Sequence, residues 1–173
     1  DKHNTYFMPE FLTERNYVND FINNKNWIFG LKGTEQDILF KEKIEEMINI
    51  SYKSRNIKYN KITFRTNKEA EMIKLFRNNF LSVKVSFCNE IYDYCKMKEI
   101  DYEKVVEIAA SDDRIGLSHT LVPGPDGQRG YGGTCFPKDI SNTLFDMKEN
   151  GMKSYILESS FNRNKELDRR DNL

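Results

Sequence analysis

Cys135 sits in Gly130-Tyr131-Gly132-Gly133-Thr134-Cys135-Phe136-Pro137-Lys138-Asp139. Glycines at this density let backbone N–H groups come close to a ligand. Pro137 suits a first helical turn, which sets Cys135 just ahead of a helix N-terminus, where the helix dipole favours a thiolate. Asp139 follows four residues later, so one helical turn brings its carboxylate towards the sulfur or a water beside it. A nucleophile with a nearby base is the chemistry these residue types suggest. The alternative is a glycine-rich connection holding a small buried cysteine.

Other residues gain meaning from their spacing. Lys74 and Asn78 are i, i+4 neighbours on an otherwise apolar helical stretch. A cation beside an amide donor suits a developing oxyanion, although a solvated seam between apolar stripes explains the pair equally well. Glu10 and Glu14 share one face if Pro9 opens a helix, either for acid–base work or as first-turn acids complementing the dipole. Arg114 would grip a phosphate or pair with Asp112 and Asp113. His119 is the residue a cysteine hydrolase would need beside Cys135. Cys88 and Cys95 are helix-core residues by position, and no metal-ligand spacing occurs.

The elements that must position these residues fall into two parts. Up to about Thr66, strand and helix patterns alternate. Tyr6-Phe7-Met8 is a short apolar run, a helix is expected over Glu10–Asn19, and Trp27 to Gly30 reads as a buried strand. Thr34 can cap a helix from about Glu35 to Tyr52, with Ile38, Phe40, Ile44, Met47 and Ile48 on its apolar side, and Lys61 to Thr66 is a further strand. Beyond Asn67 the pattern is nearly all helix. Met72, Phe76, Phe80, Val83, Phe87, Ile91 and Tyr94 form one apolar stripe, and Ala70, Ile73, Leu81, Val85, Cys88 and Tyr92 a second. A helix of about 30 residues with two apolar faces needs more than one neighbour, within a helical domain or across a dimer. Asp101 can cap a short helix to about Ala110, Ser111 to Thr134 is loop, and helices over Pro137–Asn150 and Lys153 to about Arg170 close the chain.

Bulk properties exclude several classes. The 173 residues hold 38% hydrophobic and 31% charged side chains, enough for a core under a well-solvated surface. Lys+Arg and Asp+Glu both number 27, so no global field points to nucleic acid or an anionic membrane. No run is long enough to span a bilayer, and three cysteines without framework spacing suit a reducing, cytoplasmic setting. The chain opens on Asp rather than Met, and a helical pattern is still running at Leu173. This reads as a segment of something longer.

Taken in order, the blocks resemble the UDP-glucose/GDP-mannose dehydrogenase family over nearly the whole chain. Pro9-Glu10-Phe11-Leu12-x-Glu14, Asp20 and Ile28-Phe29-Gly30 follow the family's order. So do Glu71-x-x-Lys74-x-x-x-Asn78, Asp113-Arg114-Ile115-Gly116 and Gly132-Gly133-x-Cys135-Phe136-Pro137-Lys138-Asp139. The stretch after the cysteine is most similar to the UDP-glucose branch, with the GDP-mannose branch next. The resemblance implies an α/β edge fragment of a Rossmann-like domain, residues 1–66, which ends the NAD-binding domain. It is followed by a mainly helical central dimerisation and catalytic domain, residues 67–173, with one long buried helix.

It also implies a reaction: oxidation of a sugar C6 alcohol to an acid in two hydride transfers to two NAD, through a thiohemiacetal and a thioester on Cys135. By the same resemblance Lys74 and Asn78 stabilise the oxyanion, Asp139 acts as base with a water, and Glu14 assists hydrolysis. Glu10, Phe11, Leu12, Thr13 and Glu14 line the sugar pocket, and Gly130, Tyr131 and Gly132 hold the nucleotide sugar. Arg114 reaches the neighbouring subunit's substrate in a homodimer built on the helix from Asn67. Glu14, Cys135 and Lys138 are this segment's contacts to NAD, most of whose site lies elsewhere. Two departures stand out. Asn24 and Asn26 occupy places where the family usually has Pro and Arg, and no Gly-x-Gly-x-x-Gly follows an opening strand. The segment alone is therefore expected not to turn over. A helical dimerisation module without chemistry and a cysteine hydrolase using His119 are the competing readings.

Overall fold

The structure, a computed structural model, describes residues 5–13 and 15–170. It divides into two compact units, Asp1–Lys74 and Leu75–Leu173, and the division falls inside one long helix.

In the first unit, β1 (Trp27–Leu31) pairs in parallel with β2 (Ile62–Thr66), Trp27 opposite Ile62 and Leu31 opposite Thr66. Parallel neighbours need a crossover, and α2 (Gln36–Lys53) supplies it. Trp27, Phe29, Ile48 and Ile57 form the core, with Phe40, Ile44, Ile62 and Phe64 packed against it. Burying each large side chain of this kind stabilises by about 1.5–3 kcal/mol. The Trp27 indole also donates to Tyr59 O at 2.8 Å, so its one polar atom is satisfied. Gly30 is required by close approach, because a Cβ there would collide with Asn67, coming within 2.8 Å of its Cα. That same Asn67 accepts the Phe7 N–H at 3.0 Å, and Gly30 N–H bonds Phe7 O at 2.6 Å.

Several expectations for this unit change. Residues 7–13 are not helical, and the first helix, α1, is the short Tyr17–Ile22. The reason is local: Asp20 draws the Thr13 N–H (2.9 Å) and hydroxyl (2.6 Å) back onto itself, an arrangement that competes with an earlier helical turn. Thr34 does not cap α2. Instead the buried Asp37 reaches back to accept from the N–H groups of Lys32, Gly33 and Thr34. Burial would lift the Asp37 carboxyl, but these three donors prevail and hold it below the usual carboxylate value. Ile38 and Met47 lie on the exposed side of α2, since its inward face is set by Phe40, Ile44 and Ile48. Tyr6-Phe7-Met8 forms no regular strand among the described residues.

The long helix α3 (Asn67–Met97) runs 31 residues, as its stripes predict. Only one face is buried. Phe76 (69% exposed), Phe80 (59%) and Phe87 (62%) leave the first stripe open, with Met72 and Tyr94 exposed beside them. The inward face carries small and polar residues, Asn79, Ser82, Ser86 and Asn89, together with Cys88 and Cys95.

In the second unit, α4 (Tyr102–Ala109) is capped by Asp101, which accepts from Glu103 and Lys104 N–H as expected. Cys88, Cys95, Tyr102 and Val122 form a small core there, and the Tyr102 hydroxyl donates to Thr120 O at 2.7 Å. After the long loop come α5 (Cys135–Glu149) and α6 (Ile156–Arg163). A five-residue π-helix, Asn164–Asp168, replaces the last turns expected for the final helix.

Candidate active site

Cys135 is the first residue of α5, two positions deeper into the helix than the proline suggested, and Pro137 lies in the first turn, where a missing N–H costs nothing. The residue is partly exposed, and its sulfur lies 3.9 Å from Thr134 Oγ1. One turn on, Asp139 is buried and points from α5 to α3, where its carboxylate accepts the Asn78 amide N–H at 2.6 Å. Lys138 Nζ lies 3.4 Å from the other carboxylate oxygen. The contact continues as a polar seam. Thr143 Oγ donates to Asp139 O, and Asn79 donates to Thr143 Oγ1, each at 2.8 Å. Ser82 Oγ donates to Asn78 O at 2.8 Å, a side-chain bond to the backbone of the residue that carries this amide. A buried carboxylate survives desolvation only with such partners.

Of the residues read from the sequence, the second unit thus unites Cys135, Asp139 and Asn78, with Lys138 beside them. Lys74 precedes Asn78 by one turn of α3 but is the last residue of the first unit. Glu14 lies outside the described residues. Glu10, Phe11, Leu12 and Thr13 form an irregular segment, with Glu10 turned onto the Leu12 N–H, so no paired-carboxylate helix face exists among them. Arg114 is 88% exposed and forks onto Asp112 with bonds of 3.0 and 3.1 Å from Nε. The turn that carries Arg114 is held from behind by Lys84, whose ammonium donates to the carbonyls of Ile115 (2.8 Å), Gly116 (2.9 Å) and Ser118.

His119 does not form a dyad with Cys135 among the described residues. Its ring lies against Phe136 at 5.8 Å, and Ser118 Oγ occupies its Nδ1. Burial, aided by the Lys84 charge, pushes its pKa down. No group of three or more metal-ligating side chains occurs among the described residues.

Behind the glycine loop is a cluster that sequence spacing did not reveal. Arg129 and Arg163 reach Asp93 at 2.7 and 2.6 Å, and both also reach Asp168, each at 2.9 Å. The Asp168 side chain is 0% exposed, so burial raises its carboxyl despite Arg163 and Arg129. Burial would lift Asp93 too, but hydrogen bonds from the two arginines prevail and hold it low. Arg169, itself buried, pairs with Asp126. Apart from Arg163 and Asp168, which are five apart, these partners are separated by 36 to 70 positions and leave no periodic trace in a sequence. Tyr131 is buried, and its hydroxyl is pushed up to about 12 by desolvation.

Residues 68–166 match the central domain of the UDP-glucose/GDP-mannose dehydrogenase family. The chain is 33% identical to the UDP-glucose 6-dehydrogenase of Pseudomonas aeruginosa over 156 residues, 90% of this chain and 32% of that protein. It is 31% identical to the UDP-glucose 6-dehydrogenase of Haloferax volcanii over 152 residues, 88% of this chain and 33% of that protein. A solved UDP-glucose dehydrogenase from Pyrobaculum islandicum superposes with a TM-score of 0.74 at 28% identity, covering 92% of this chain and 33% of that one. The chain therefore spans about a third of the length of these relatives. With its central helices, its loop and its Cys135–Asp139 turn all inside the matched region, the chain belongs to the UDP-glucose/GDP-mannose dehydrogenase family.

Proposed function

We propose that this chain is the oxidation centre of an NAD-dependent nucleotide-sugar dehydrogenase that converts UDP-glucose to UDP-glucuronate as part of a longer protein. Residues 1–66 end its NAD-binding domain and residues 67–173 are its central domain. The observation that carries the reading is the 2.6 Å bond between Asn78 and the buried Asp139, one turn from Cys135 on α5. It places an amide donor, a carboxylate and a thiol on adjoining helices, the set a thiol-mediated oxidation needs.

Asp139, through a water, takes the proton of the C6 hydroxyl as its hydride leaves, giving an aldehyde. Cys135 Sγ adds to that carbon, and the new C–S bond leaves a thiohemiacetal oxygen whose charge Asn78 and Lys74 stabilise. Loss of a second hydride gives a thioester, and water, assisted by Glu14, displaces the thiol to release the acid. NAD, when bound, would supply the hydride acceptor, one equivalent for each oxidation. The residues present fit a share of that cofactor: the Lys138 side chain is largely exposed, its ammonium lies 3.4 Å from an Asp139 oxygen, and it offers a cation one helical turn from Cys135. Glu10 to Thr13 line the sugar, Gly130 to Gly132 hold the nucleotide, and Arg114 reaches a partner's substrate. The open Phe76, Phe80 and Phe87 stripe supports a homodimer along α3, and three free cysteines suit the cytoplasm.

A screen of UDP-glucose, GDP-mannose and UDP-N-acetylmannosamine with the full-length protein and NAD tests this. UDP-glucose is expected to give the largest kcat/KM, with GDP-mannose the runner-up. Cys135→Ser should lower acid formation by roughly 10³-fold or more. An unaffected serine variant, or Cys135 alkylating no faster than Cys88 and Cys95, would favour a dimerisation module without chemistry. Residues 1–173 alone are expected to show no turnover with UDP-glucose and NAD.

A further inference from the structure

The loop ahead of Cys135 is rich in glycine, yet side chains hold its backbone at three successive residues. Asn164, buried at the start of the π-helix, accepts the Tyr131 N–H at 2.8 Å and donates to Tyr131 O at 3.0 Å. One carboxamide thus satisfies both backbone groups of one residue, as an adjacent β-strand would. Asn89, on α3, accepts the Gly130 N–H at 3.2 Å, and Arg169 Nε donates to Arg129 O at 2.8 Å. The i+5 bond from Arg169 N–H to Asn164 O, 2.7 Å, leaves both residues in contact with the loop. Such π-turns recur at functional sites.

The fit leaves no slack. Gly130 has φ +64°, and a Cβ there would run into Asn164 Oδ1 and come within 2.9 Å of Asp168 Cβ. At Gly132 a Cβ would meet the Arg169 guanidinium. The clamp must also be neutral. An acid at 164 would turn a second carboxylate oxygen towards Tyr131 O, next to the buried Asp168.

We propose that Asn164 is a positioning residue: it pre-forms the Arg129–Gly132 backbone so that the nucleotide sugar binds an ordered loop. The proposal rests on reading that loop as the nucleotide-sugar contact. A loop of this composition would otherwise lose conformational entropy on binding, and pre-ordering removes that cost. Loss of the clamp therefore appears in affinity for the sugar nucleotide, not in the intrinsic chemistry of Cys135.

The test uses the full-length protein and the Asn164→Ala, Asn164→Asp and Gly130→Ala variants, with the Gly130→Ala/Asn164→Ala double. Asn164→Ala should raise the UDP-glucose KM about 10-fold, the scale of one or two lost hydrogen bonds. Its kcat, its KM for NAD and the rate of Cys135 alkylation by iodoacetamide should stay within about threefold. Asn164→Asp should be at least as weak, and the double variant no worse than the more damaged single, because both act through one contact. Hydrogen exchange at the Tyr131 amide should accelerate in Asn164→Ala while α5 amides stay unchanged. An unchanged KM with unchanged Tyr131 exchange overturns the proposal. So does a parallel fall in kcat, alkylation and melting temperature, which marks general destabilisation. The exchange measurement needs no substrate. If the wild type oxidises no nucleotide sugar, the proposed function fails while the clamp is still judged.

Discussion

The interiors of the two units are built from different materials. The first closes over Trp27, Ile28, Phe29, Ile48 and Ile57, and Asp37 is its one buried charged or polar residue among those described. The second buries Asn79, Ser82, Ser86, Asn89, Thr120, Asp139, Thr143, Ser160, Asn164 and Arg169. Apolar burial is non-directional and tolerates small shifts in geometry. A polar interior does the reverse: every group needs its partner at about 3 Å, so the arrangement is specified tightly while contributing less net stability. The unit carrying the candidate chemistry is the one that accepts this cost. Ser86 and Ser160 show it on a small scale, meeting hydroxyl to hydroxyl at 2.8 Å where two alanines would pack with no orientational demand.

The contrast can be broken at its apolar end first. Trp27→Ala leaves a cavity under β1 and should cost about 3–5 kcal/mol, read as a lower midpoint in denaturant for the full-length protein. A cost below about 1 kcal/mol would mean the first unit is not held by this core.

At the polar end the effect should depend on pH, and oppositely for two neighbours. Asp168 is raised by burial, so its contribution to stability is complete below the unfolded carboxylate pKa and is lost as pH rises through the folded value. Asp93 is lowered, so its contribution is present above the unfolded pKa and is lost as pH falls through the folded one. Melting temperatures between about pH 3.5 and 6 should show the wild type's advantage over Asp168→Asn narrowing as pH rises. Its advantage over Asp93→Asn should widen over the same range. Parallel trends for the two variants would show that burial does not separate the pair.

The smallest effect should come from the outer face of α3. Phe87→Ser changes an exposed side chain and should alter intrinsic stability by no more than about 0.5 kcal/mol. If that face joins two copies, sedimentation of the full-length protein will instead show dissociation on dilution. A variant as dimeric as the wild type at every concentration would remove this stripe from the interface.

How much of this was legible beforehand follows from distance along the chain. The 31-residue α3, the paired strands, the Asp101 cap and a helix opening near Pro137 are written in local periodicity and short motifs, although that helix's start at Cys135 was not. Cys135 and Asp139 share a helix turn, so their association was readable, and the ordered blocks were enough to indicate the family. What the sequence could not separate was which apolar stripe of α3 faces inward, because both have helical spacing. Only packing against α5 and α6 buries the face of Asn79, Ser82, Ser86 and Asn89 and leaves Phe76 and Phe87 outside. The early helix failed for a related reason: Thr13 and Asp20, seven residues apart, bond each other in a way no propensity encodes. Composition, motif order and the candidate nucleophile were determined by the sequence itself. The Asn78–Asp139 contact, the Arg129–Asp168 cluster and the Asn164 clamp were decided by tertiary structure alone, since groups 33 to 61 residues apart meet only when helices pack.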